Sequence, residues 1–159
     1  MKGNDQVKAA LQEAINMEYS LAAQYDLDQR DVARLGLSIE DRLGCLHEQS
    51  ESCGRLLVDR LLFLEGAPVI APASAKTHDD VGSILSDAIA SETAIIAKYA
   101  AFIKVVFDVG DMDNFHLFQH LSKWHRQGGN DNKGHMAWLQ KQAWQFGKLG
   151  ESGYLEAKV

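Results

Sequence analysis

The feature that most constrains this chain is a row of residues, mostly apolar, that repeats at alternating steps of four and three. One row runs Val7, Leu11, Ala14, Glu18, Leu21, Tyr25, Asp28 and Val32. A second runs Leu43, Leu46, Ser50, Cys53, Leu57, Leu61 and Leu64. A third runs Val81, Leu85, Ala88, Glu92, Ile95, Tyr99, Phe102, Val106 and Val109. This spacing keeps side chains on one face of an α-helix and forms the seam of an antiparallel bundle. Nothing alternates with the period of two that a strand needs. The chain is therefore expected to be all-α, with helices over about Asn4–Ala33, about Ser38–Glu65, and from near Asp79 or Asp80 to Val109. No internal repeat is evident.

Punctuation residues divide the helices. Asn4 or Asp5 can cap the first helix, and Gly36 ends it. Ser38, with Asp41 three residues on, can cap the second, and Gly66 closes it. The only two prolines, Pro68 and Pro72, fall between the second and third helices. That link, Gly66 to His78, has 13 residues and reaches about 40 Å when extended. It is long enough to run end to end along a bundle. A fourth helix begins near Asp113 with Phe115, Phe118, Leu121 and Trp124. Gly128, Gly129 and Gly134 then break or distort it, since each glycine costs about 1 kcal/mol against alanine. Helical pattern resumes at His135, and a short element follows Gly150.

At 159 residues the chain suits one domain spanning 1–159. Its net charge of -6 argues against nucleic acid as a partner. No apolar run approaches the roughly 18–20 residues of a membrane span. The segment from Met1 to Asp5 lacks a signal peptide's apolar core. Cys45 and Cys53 sit about 12 Å apart along one helix, beyond disulfide reach. A cytoplasmic location with free thiols is the expectation.

Polar residues interrupt the seams. Glu18 and Glu92 occupy core positions, where a carboxylate needs a partner or a metal. The second helix offers Ser50 and Cys53, and the fourth offers Asp131, Asn132 and His135. In carboxylate-bridged di-metal bundles two helices each give one Glu, and two each give Glu-x-x-His. Here those pairs read Ser50-x-x-Cys53 and Asn132-x-x-His135. Taken singly, each has a plainer reading. Tyr25 and Tyr99 read as core aromatics, Cys53 as a small buried hydrophobe, and His47-Glu48-x-x-Glu51 as a solvated face. His116, His120 and His125 follow an irregular spacing that is a weak chelating pattern. Their combination across four helices is what favours a metal.

At these positions the chain resembles the bacterioferritin branch of the ferritins. The matching segments are Met1-Lys2-Gly3, Glu18 with Gln24-Tyr25, Gly36-Leu37, Leu62-Phe63-Leu64-Glu65-Gly66-Ala67-Pro68, Gly134-His135-Met136-Ala137-Trp138-Leu139 and Gly153-Tyr154-Leu155. The resemblance implies a ferritin-like four-helix bundle with a long crossover and a short C-terminal fifth helix. It implies iron as the metal, oxidation of Fe(II) at a di-iron centre, mineral storage, and haem between subunits. It also implies a homo-oligomer, often a shell of 24 subunits, or co-assembly with an active ferritin subunit. Glu18 falls on a terminal carboxylate ligand, Glu92 on its counterpart, and His135 on a histidine ligand. The bridging Glu and the His of the second helix become Ser50 and Cys53, and the bridging Glu of the fourth becomes Asn132. The haem-ligating Met falls at Glu51; with the gap placed later, Glu51 instead takes the bridging position. The expectation is an altered iron site drawing on Glu18, Glu92, His135, Asp131, Cys53 and Glu51. A non-catalytic structural subunit and a site for another metal are the alternatives.

Overall fold

The computed structural model of the chain describes residues 3–127 and 134–158. Its elements are α1 (Asp5–Arg34), α2 (Glu40–Phe63), α3 (Val81–Asp108), α4 (Met112–Gln127) and α5 (His135–Lys158). The all-α bundle with a crossover is what the chain forms. Its fourth pillar is made of two helices, α4 and the first part of α5. Gly150, at φ 66°, kinks α5 and sets off a short C-terminal piece. None of the described helices is long and apolar enough to cross a membrane.

Side chains cap two of the helices, α1 as expected and α3 as well. Asn4 Oδ1 accepts from the Gln6 amide at 2.8 Å, and Asp80 Oδ1 accepts from the Ser83 amide at 2.8 Å. The start of α2 differs from expectation. Ile39 is its N-cap and no side chain caps it. Ser38 instead donates its backbone N–H to the Lys158 carbonyl at 2.6 Å, tying the start of α2 to the C-terminus. At the other end, Glu65 rather than glycine takes the left-handed conformation, at φ 57°. Gly66 is required there for space, since a Cβ would collide with the Leu61 side chain.

A repeat that sequence reading did not find appears when α1 and α3 are set side by side. Val7, Leu11, Ala14, Glu18, Leu21, Tyr25 and Val32 recur at one constant offset as Val81, Leu85, Ala88, Glu92, Ile95, Tyr99 and Val106. All of these are buried. The two helices are thus equivalent halves of one pseudo-symmetric core. Leu43, Leu46 and Ser50 on α2 likewise pair with Phe118, Leu121 and His125 on α4. The repeat escapes ordinary comparison because only the seam recurs, and the exposed residues between do not.

The crossover fixes the topology. A polar stripe on α1 binds it one rung at a time. Gln12 Nε2 donates to the Val69 carbonyl at 2.7 Å, and Gln12 Oε1 accepts from the Val69 amide at 2.9 Å. Asn16 Oδ1 accepts from the Ala71 amide at 2.9 Å, and Ser20 Oγ accepts from the Ala73 amide at 2.8 Å. Gln24 makes both bonds to Lys76, at 2.8 and 2.9 Å. The match has a geometric cause. Four residues of helix rise about 6 Å, and two residues of extended chain rise about 6.6 Å. The crossover therefore runs parallel to α1, from the Leu64 end to the Asp31 end. As a result α3 starts beside the C-terminus of α1 and runs antiparallel to it.

Candidate metal centre

Antiparallel packing of α1 on α3 brings equal positions together crosswise. Tyr25 on α1 donates its hydroxyl to Glu92 Oε1 on α3 at 2.6 Å. Tyr99 on α3 donates to Glu18 Oε1 on α1 through a short hydrogen bond. Each tyrosine lies two seam steps beyond its own helix's glutamate, so the repeat generates both bonds. Burial pushes both tyrosine hydroxyls well above their ordinary pKa, reinforced by the neighbouring carboxylates. They remain donors. The expectation that Tyr25 and Tyr99 are plain core aromatics is corrected: they hold the carboxylates.

Between the carboxylates lies His125 of α4. Its Nε2 is 2.9 Å from Glu18 Oε1 and its Nδ1 is 2.8 Å from Glu92 Oε2. All three residues are fully buried. Burial alone would push this imidazole toward its neutral form. The charges of Glu18 and Glu92 and their hydrogen bonds outweigh it, raising its pKa from 6.5 to about 10. Burial likewise pushes Glu92 up, but the His125 charge and bonds from His125 and His135 hold it at about 2. The ring stacks on Tyr99, with centroids 5.7 Å apart. His125 is thus an internal cation held by two buried anions, the arrangement that makes buried charge tolerable.

His135, the first residue of α5, completes the group. Its Nδ1 is 2.7 Å from Glu92 Oε1, and its Nε2 is 2.9 Å from Gln49 Oε1 on α2. Its ring meets that of His125 edge to face at 4.9 Å. Glu92, His125 and His135 each offer one ligand atom, all within 4.8 Å of one another.

The remaining predicted positions divide. Ser50 is fully buried on α2, and its hydroxyl has no partner among the described residues. Cys53 is a buried free thiol. Burial pushes its pKa up, and the Glu18 and Glu92 charges add to that. Glu51 is not part of the cluster. It is 41% exposed and pairs with Arg55 at 3.2 Å. Asp131 and Asn132 lie outside the described residues. The seam residue of α4 equivalent to Ser50 is His125. Sequence reading missed it by counting spacings among histidines. The step from Phe118 and Leu121 to His125 continues the α4 seam and would have found it. Gln49 gives no comparable signal.

A second cluster, Asp28, Asp31 and His78, also brings ligand atoms within 4.8 Å. Its groups are all engaged in securing the crossover. His78 Nδ1 is 3.0 Å from Asp28 Oδ1, its Nε2 is 3.0 Å from Asp87 Oδ2, and its amide donates to Asp31 Oδ2 at 2.7 Å.

Would the central cluster suit the metal that such bundles imply? The two imidazoles and the Glu92 carboxylate are a donor set for a first-row divalent cation. Glu18 Oε2 is buried and has no hydrogen-bond partner among the described residues, leaving a lone pair free. One ion fits these donors.

Fold and site together define a helical bundle with a carboxylate–histidine centre in its core. The sequence matches the family described as Ferritin, ferritin-like domain, over residues 8–149. The chain therefore belongs to the ferritin family. No curated protein sequence matches it. Among solved structures it is similar to the bacterioferritin of Rhodobacter capsulatus, at 22% identity and a TM-score of 0.90, covering 100% of this chain and 96% of that one. That protein is described with a metal-free dinuclear site and a haem iron. At this identity the likeness shows the shared fold.

Proposed function

We propose that this chain is an iron-binding member of the ferritin family that holds a single ion in its core. Glu92, His125 and His135 are its ligands. The observation that carries this reading is the convergence of the three ligand atoms within 4.8 Å. Two histidines and one carboxylate with open positions suit non-haem Fe(II). Iron held there supplies one-electron chemistry toward oxygen. The chain's own residues do the rest: Tyr25 and Tyr99 orient the carboxylates, and burial keeps bulk water out. Ser50 and Cys53 in place of a carboxylate and a histidine disfavour a second, bridged ion, so the di-iron ferroxidase centre is altered. Haem is not part of this reading, because Glu51 stands where the resemblance expects its methionine.

Anaerobic titration with Fe(II), followed by air, tests the proposal. The expected result is one ion per chain, lost in Glu92→Ala and His135→Ala. A stoichiometry of two would overturn the single-ion site. Zinc or copper retained in preference to iron would reassign the metal.

A second reading is a structural subunit without chemistry. One observation favours it: His125 already bonds both buried carboxylates, at 2.8 and 2.9 Å. Exposed Leu56, Leu62, Phe63, Val69 and Ile70 offer apolar surface for assembly with further copies or an active ferritin subunit. No Fe(II) binding, together with a large native particle by mass measurement, would select this reading.

A further inference from the structure

Gln49 lies outside the ligand set, yet it touches the cluster directly. It is the α2 residue whose Oε1 faces His135 Nε2 at 2.9 Å. On the other side of the ring, Glu92 Oε1 faces Nδ1 at 2.7 Å and also accepts from Tyr25. The ring therefore has an oxygen acceptor at each nitrogen. These acceptors differ in what they permit. Glu92 is a charged oxygen that a cation can share with Nδ1. Gln49 is a neutral amide oxygen, and it can only receive a proton from Nε2. A histidine that binds a metal through one nitrogen commonly donates its other N–H to such an acceptor.

We propose that Gln49 is the positioning residue for His135. When a cation takes the place of the Nδ1 proton beside Glu92, Gln49 keeps the remaining proton on Nε2 and so holds Nδ1 toward that cation. This deepens the single-ion reading and rests on it. Gln49 is well placed for the task. It belongs to α2, whereas His135 is the first residue of a helix that begins after a glycine-rich segment. The bond to Gln49 fixes to a long, well-packed helix a ring whose own helix has only just begun. Gln49 also lines a cleft of about 290 Å³ between α2 and α4, beside Cys53, His120 and Trp124. Gln49 thus both contacts the ligand and borders the cleft.

The test compares wild type with Gln49→Leu and Gln49→Glu. Nitrogen NMR of the histidine rings, recorded on Zn(II)-loaded protein, reports which His135 nitrogen carries the proton and which the metal. Zn(II) titration reports affinity. Wild type is expected to hold the proton on Nε2 and to bind Zn(II) through Nδ1. Gln49→Leu should lose the tautomer preference and bind about 10- to 100-fold more weakly. Gln49→Glu still accepts the N–H and should stay within a few-fold of wild type. Unchanged tautomer and affinity in Gln49→Leu would overturn the proposal. So would ligation through Nε2, or equal damage from Gln49→Glu. Should wild type bind no metal, the single-ion reading fails; metal-free protein then tests the Gln49 contact by itself, through a His135 Nε2 resonance that moves in Gln49→Leu if the contact forms and stays unchanged if it does not.

Discussion

The imidazole of His125 lies 2.8 Å from a carboxylate oxygen of Glu92, with neither side chain exposed to solvent. The same ring reaches Glu18 on its far side at 2.9 Å. Two anions share one cation inside the bundle. Removing the cation leaves two carboxylates facing each other in a medium of low dielectric. His125→Leu is therefore expected to cost about 3–5 kcal/mol, the usual effect of breaking a buried ion pair. Adding Glu18→Gln should return part of that loss by deleting one anion. Urea unfolding of the single and double variants checks both statements. Equal stability of the two variants would mean that the charges are not coupled.

Acid and alkali should act on different members of this group. Glu92 is held at about 2 against an ordinary 4.5. Its contribution to stability is complete above the ordinary value and is lost as pH falls toward 2. His125 is raised from 6.5 to about 10. Its contribution is complete below 6.5 and disappears as pH rises through about 10. Both contributions are whole between pH 4.5 and 6.5. Melting temperatures across pH should show a decline on each side of that window. His125→Leu should flatten the alkaline limb, and Glu92→Gln the acid limb.

Metal binding should be linked to the same proton. At neutral pH a cation that takes a nitrogen of His125 must first displace the proton held there. Affinity should rise about tenfold per pH unit through the neutral range if one proton is released. Calorimetry in buffers of different ionisation enthalpy counts that proton directly. Affinity independent of pH, with no proton released, would show that His125 is not a ligand.

The bundle was legible in the sequence because a seam is a local, periodic property. Val7 to Val32 and Val81 to Val109 declare their buried faces without reference to any other helix. Glu18, Glu92 and His135 stood out for the same reason, as polar residues on or near those seams. His125 was no less visible in principle, lying one step beyond Leu121, but the Glu-x-x-His ligand spacing directed attention to Asn132. The crossed bonds of Tyr25 and Tyr99 depend on the antiparallel register of α1 and α3, which no single segment encodes. Gln49 depends on where α5 begins. That is set by the packing of His135 against α2 and α3, and no residue of α2 announces it.

The polar stripe of α1 makes a final prediction about the crossover. Gln12, Asn16, Ser20 and Gln24 recur every four residues and each binds backbone groups of the extended segment. These bonds are largely exposed, so each should contribute toward the low end of about 0.5–1.5 kcal/mol. Their effect on local opening should be sharper than on global stability, because each anchors one rung. In Asn16→Ala the Ala71 amide loses its acceptor at 2.9 Å while the rungs on either side persist. Hydrogen exchange should then accelerate at Ala71 by about fivefold to tenfold and change little at Lys76. Gln24→Ala removes two bonds to Lys76 and a third to Asp28 Oδ1, so it should loosen Lys76 and His78 together. If either substitution instead speeds exchange evenly from Val69 to His78, the crossover opens as one unit. In that case the ladder stabilises it only collectively.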